Sequence, residues 1–182
     1  PRLAAPAMGF CCYTFLYVAC LTLLPPASPE DFRSVMATGM PLVSIAVSLT
    51  LGVRLLHRMP AVRLVQWGFA AAMPGFVLLW LGWGQGWGMV AGAFWLSAAL
   101  GIVQGASFAA IPELNEAPED RARAAGAIAQ LGNVGTTAGT PLLALLLVQG
   151  GAGALCLVAL ACLAAGIVIH RVQARRRQTR ST

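Results

Sequence analysis

Apolar positions in this chain do not alternate with polar ones. They run in six nearly unbroken blocks, 3–24, 35–56, 64–81, 89–112, 124–148 and 152–170. Each block is roughly 18–25 residues long, the length at which a helix rising about 1.5 Å per residue crosses about 30 Å of hydrocarbon. A helix that is apolar on nearly every side needs lipid or a large core around it, and 182 residues cannot bury six such helices in water. The pattern predicts an all-α membrane protein, one bundle of six transmembrane helices. The breaks carry turn chemistry. Pro25-Pro26-Ala27-Ser28-Pro29 reads as a helix stop, Gly82 to Gly88 as a tight turn with Trp83 and Trp87 at headgroup level, and Pro118-Glu119-Asp120 as a helix start. Pro74-Gly75 predicts a kink inside the third span.

Charge then orients the bundle. Threading the spans up and down puts Arg2, Arg54, Arg58, Arg63, Arg121, Arg123, Arg171, Arg175, Arg176, Arg177 and Arg180 on one side, and leaves only Arg33 on the other, beside Glu30 and Asp31. Arginine in short loops marks the cytoplasmic side, so both termini are expected there, with 171–182 as a basic cytoplasmic tail. Only 10% of residues are charged and 58% are apolar. The net charge of +6 therefore reads as loop anchoring against anionic lipid, with no nucleic-acid partner. Lysine is absent while arginine, alanine and glycine abound, which points to a GC-rich bacterial genome and hence to an inner (plasma) membrane. The chain opens on Pro1 without an initiator Met and is expected to be a piece of something longer.

No reactive constellation emerges. Cys11, Cys12, Cys20, Cys156 and Cys162 all lie inside spans, with His57 and His170 at helix ends, so neither a metal nor a cofactor is expected. No acid, arginine or histidine stands in the middle of a span, and Ser107 has no histidine at its depth to activate it. An enzyme is not expected. What the spans do carry is uncharged polarity, which must face a bundle interior or a wet cavity. Gln130, Asn133 and Thr137 share an arc of the fifth span with Gly126 and Thr140, while Gly132, Gly135 and Gly139 occupy a separate arc suited to close helix packing. Ser97, Gly101, Gln104 and Phe108 form a stripe on the fourth, Ser44 and Ser48 on the second, Tyr13, Tyr17 and Cys20 on the first. Ten of these residues, Tyr13, Tyr17, Ser44, Ser48, Ser97, Gln104, Phe108, Gln130, Asn133 and Thr137, are the candidates for lining a solute cavity.

Six spans, apolar third and sixth helices and a basic turn after the second resemble one half of a major facilitator superfamily transporter, the C-terminal half by its basic tail. Gly52 opens a run in which His57-Arg58-Met59-Pro60 stands near the D-R-x-G place of the family's loop signature, without its acid and with Pro60 in place of glycine. Gly126, Gly135, Gly139 and Pro141 echo the antiporter pattern G-x8-G-x3-G-P, with Thr140 inserted. The resemblance implies a missing N-terminal six-helix half, a small-molecule solute held between the halves, alternating access with sliding along glycine faces, and a gating role for Gly52 and Arg58. A self-contained six-span scaffold or other non-carrier membrane protein is the alternative; six further spans encoded upstream would decide for the carrier.

Overall fold

A computed structural model describes residues 4–178; Arg2, Arg180 and the last residues of the expected tail lie outside the described residues. These residues are almost entirely helical, with no strand among them. The helices are α1 (Ala4–Ala27), α2 (Glu30–Leu56), α3 (Ala61–Leu81), α4 (Gly86–Leu114) and α5 (Pro118–Gln178). All five are long and apolar enough to cross a membrane.

The long α5 is two limbs. Gly151 leaves helical backbone at φ 65° and ψ −166°, a conformation open to glycine and costly for a residue with a Cβ. Neighbours on either side show the chain reversing there. The first limb runs parallel to α1: a Cβ on Gly132 would lie 3.0 Å from the Phe10 ring, one on Gly135 3.0 Å from Phe15 N, and one on Gly139 2.8 Å from Phe15 Cα. The second limb runs antiparallel to α1, with Cys162 Sγ 3.7 Å from the Cys12 carbonyl oxygen and the His170 ring against Gly9. It is antiparallel to α3 as well, since Gly153 lies beside Trp80, Gly166 beside Phe69, and Arg171 shares a hollow with Arg63. Helix α1 thus sits between the two limbs, α2 packs chiefly on α4, and α3 on α4 and the second limb. Leu16, Leu24, Met36, Met40, Phe69, Phe76, Leu96 and Leu100 form part of a single core.

Several helix ends lie beyond the expected ones, each for a local reason. The expected stop at Pro25-Pro26 is the last turn of α1 instead. A proline removes its own N–H and disturbs the carbonyl four residues before it, a small loss where the helix is ending anyway. Ser28 finishes the turn, its Oγ donating to the Pro25 carbonyl at 2.7 Å. Pro29 then sets an extended backbone (φ −53°, ψ 147°) from which α2 starts at Glu30, with Glu30 and Asp31 in the first turn where the helix dipole favours acids. Helix α4 likewise runs past Pro112 and ends at Asn115, which is extended (φ −133°, ψ 118°) and donates Nδ2 to the Ile111 carbonyl at 2.9 Å. Residues 171–178, expected as tail, continue the helix. Helix α3 is assigned as one helix past Pro74; Trp95 Nε1 donates to the Ala71 carbonyl at 2.8 Å, beside the Ala70 carbonyl whose helical donor the proline lacks.

Candidate functional site

The ten candidate cavity residues divide by depth. Tyr13, Tyr17, Ser44 and Ser97 are buried between helices, Ser48 is half-buried, and Gln104, Phe108, Gln130, Asn133 and Thr137 are exposed.

The buried set is a hydrogen-bonded and stacked seam. Tyr17 Oη donates to the Met40 carbonyl at 3.2 Å, with the hydroxyls of Ser44 and Ser97 beside it, so one phenol ties α1 to α2 at a point also shared with α4. Helices α2 and α4 can come that close because Gly101 faces the Ser44 backbone, where a Cβ would overlap the Ser44 carbonyl oxygen and stand 2.8 Å from its Oγ. Ser48 faces Gly105 in the same way, at 2.7 Å from a Cβ there. From Ser48 to Gly52 the helix widens into a π-turn, which shifts the register of the residues that follow by about one position. Gly52 is buried at the end of this turn and meets only ordinary contacts, while Arg58 is exposed beyond it beside Arg54 and His57.

The exposed set lies on α4 and the first limb of α5. Gln104 and Phe108 are one turn apart. Gln130, Asn133 and Thr137 follow at i, i+3 and i+7, so they share a face. Phe10 of α1 touches both helices, but it reaches the first limb of α5 on the glycine arc and not on the arc of Gln130, Asn133 and Thr137. Its ring meets Phe108 edge-on, with centroids 5.2 Å apart, and meets Gly132 on its other side. Tyr13 and Tyr17 extend this ladder at centroid spacings of 5.1 and 5.5 Å from their neighbours Phe10 and Tyr13. The exposed positions thus present two glutamines, an asparagine, a threonine hydroxyl and the Phe108 ring, while Phe10, Tyr13 and Tyr17 are buried behind Phe108. Such a surface donates and accepts hydrogen bonds and stacks, and its side chains carry no fixed charge. Gly126, at the start of the same arc, is open, with nothing within 4 Å of a Cβ built there.

Two contributors escaped the sequence reading. Phe10 was not singled out, although Phe10, Tyr13 and Tyr17 fall at i, i+3 and i+7. Thr14 was not singled out either; its Oγ1 donates to the Gly132 carbonyl at 2.9 Å, so the glycine arc of α5 receives a hydrogen bond as well as a close backbone. Gly132, Gly135 and Gly139 all lie against α1. Trp95 does not join the polar stripe but bridges α4 to α3. Among the described residues no group of three or more acids, cysteines and histidines is placed to hold a metal.

No protein-family model and no curated protein matches the chain in sequence. Comparison of folds does find a match: FucP, a major facilitator superfamily transporter whose crystal structure is in the outward conformation, superposes with a TM-score of 0.77 at 17% identity, over 94% of this chain and 42% of that one. The chain has the major facilitator fold. It spans less than half the length of that transporter. The fold and the five long apolar helices together make it an integral membrane protein.

Proposed function

We propose that this chain is the C-terminal half of a secondary transporter that moves a small, uncharged or amphipathic solute by alternating access. On this reading it crosses the bilayer six times, the two limbs of α5 supplying the fifth and sixth crossings, with both ends in the cytoplasm of a bacterial cell. A six-helix N-terminal half completes the cavity, and the face of Gln104, Phe108, Gln130, Asn133 and Thr137 turns toward it. Arg58, beyond the π-turn, would act in gating at the cytoplasmic rim.

One observation carries the reading: Gln104 on α4 and Gln130 and Asn133 on the first limb of α5 are exposed along the transmembrane helices, with the exposed ring of Phe108 one turn from Gln104. In a chain acting alone that face would meet lipid, where each unpaired polar group costs several kcal/mol. A second bundle or a wet cavity against it removes the cost. The absence of charge on the face favours a solute recognised by hydrogen bonds and stacking.

The test is transport by the full-length protein. A transport screen identifies the solute, and Gln130→Leu and Asn133→Leu are then compared with the unaltered protein. Membrane insertion is expected to persist while transport falls by roughly five- to thirtyfold, since a lost hydrogen bond at such a site is worth about 1–2 kcal/mol. Transport at the unaltered rate in both variants removes this face from the solute path. Orientation has its own test. Cysteines placed at Arg58 and Arg123 should react with impermeant reagents only from the cytoplasmic side, and one at Gln85 only from the other.

A further inference from the structure

We propose that a cleft between the start of α3 and the end of α5 holds the phosphodiester headgroup of an anionic phospholipid. The inference requires only that the chain lie in a bilayer. It stands apart from the candidate solute face, because α3 and the second limb of α5 carry none of that face's residues.

The cleft is written on two helix faces. Arg63, Gln66, Trp67 and Ala70 fall at i, i+3, i+4 and i+7 of α3; Ile167 and Arg171 face them one turn apart on α5. These six residues line a cavity of about 310 Å³. It adjoins a second of about 560 Å³, which shares Arg63, Gln66 and Arg171 and extends to Glu113, Arg175 and Arg177. One acid lines it, Glu113, whose Oε2 accepts the Ala61 backbone N–H at 2.6 Å, at the start of α3. Arginines outnumber this single carboxylate among the lining residues, so the cleft is cationic at the bundle's end, with Arg63 and Arg171 at its centre, and it becomes apolar within one or two turns, at Trp67 (62% exposed), Ala70 and Ile167.

That gradient decides the ligand. Guanidinium forks match phosphate oxygens in pairs, and basic clefts between transmembrane helices suit anionic headgroups. A free anion would use only the arginines. A phospholipid uses both ends, with its phosphate between Arg63 and Arg171, its glycerol region at Gln66, and an acyl chain along Trp67 and Ile167. Tryptophan at the junction suits the membrane interface.

The full-length protein in neutral detergent, titrated with phosphatidylglycerol or phosphatidylcholine of identical acyl chains and read by native mass spectrometry, tests this. Phosphatidylglycerol should be retained preferentially. Its retention should fall about tenfold or more in Arg63→Gln/Arg171→Gln, as expected for two basic contacts to an anionic lipid. Trp67→Ala should weaken phosphatidylglycerol and leave binding of inorganic phosphate unchanged. Equal retention of the two lipids overturns the proposal, as does undiminished phosphatidylglycerol in the double variant. Full displacement of the lipid by inorganic phosphate would show a simple anion site and overturn it too. If the double variant aggregates, the lipid comparison and Trp67→Ala still decide.

Discussion

Substituting Gly139 with alanine tests the packing that organises this bundle. On α5 this residue faces the backbone of Phe15 in α1. An added Cβ would overlap the Phe15 carbonyl oxygen and lie 2.8 Å from both its carbonyl carbon and its Cα. Carbon atoms in contact settle near 3.5–4 Å, so the helices must part by about 0.7–1.2 Å or tilt. The obstructing atoms are backbone, which cannot rotate away as the end of a flexible side chain can. Overpacking of this kind costs about 1–3 kcal/mol, and parting α1 from α5 also stretches the Thr14 Oγ1 bond to the Gly132 carbonyl, now 2.9 Å. We expect Gly139→Ala to lose about 2–3 kcal/mol of unfolding free energy in detergent, more than a tenfold change in the folding equilibrium. Gly126→Ala is the matched control, because it lies on the same limb and nothing stands within 4 Å of its Cβ. It should be neutral or slightly stabilising, since alanine favours the helix over glycine by up to about 1 kcal/mol. Reversible unfolding followed by far-UV circular dichroism or tryptophan fluorescence measures both. Equal stabilities for the two variants would refute the close α1–α5 contact.

Other consequences follow from single contacts. Thr14→Val keeps the shape but removes the donor to Gly132, and should cost about 0.6–1.5 kcal/mol in the same unfolding assay, the range for hydrogen bonds between transmembrane helices. Gly101→Ala should be worse, because its Cβ would overlap the Ser44 carbonyl; a cysteine pair across α2 and α4 near these positions should crosslink more slowly. Gly84 holds a φ of +72° in the loop before α4, with open space around it. Gly84→Ala should therefore cost only the conformational penalty of about 1–2 kcal/mol, and Gly84→Asn less, which comparison of melting temperatures will show.

The helical, membrane-crossing character was legible because it depends on composition over long windows. Blocks of 18–25 apolar residues have few other physical solutions. Helix ends were less legible, because proline is costly in a helix interior and cheap in a last turn, and nothing near Pro25 or Pro112 in the sequence distinguishes the two. The arcs on the fifth span were readable from periodicity, whereas the identity of the partner was not. That Gly139 meets Phe15 depends on how helices more than a hundred residues apart are threaded. Tyr13 and Tyr17 show the same gap from another side. A tyrosine stripe on an apolar helix needs an acceptor, and either a cavity or a neighbouring backbone satisfies that need. Here Tyr17 finds the Met40 carbonyl, whose second lone pair is free to accept while the first serves the helix.

Close glycine packing bears on where such a bundle could bend. Contacts as tight as those of Gly132, Gly135 and Gly139 on α1 oppose sliding, since moving one residue along either helix brings a larger side chain against the same backbone. Helix α1 and the first limb of α5 should therefore move as one body, with α4 joined to them through the Phe10–Phe108 contact. Helix α2 differs. It is the least buried of the five spans, it touches α4 through Gly101 and Gly105, and its helical hydrogen bonding is already altered from Ser48 to Gly52. A π-turn carries a spare residue, and returning it to α-helical pairing rotates everything beyond it by roughly 100°. In the transport mechanism proposed above, a change in this half during the cycle would then sit in α2 beyond Ser48 and carry Arg54 and Arg58 with it, while the polar face on α4 and α5 stays fixed for the solute.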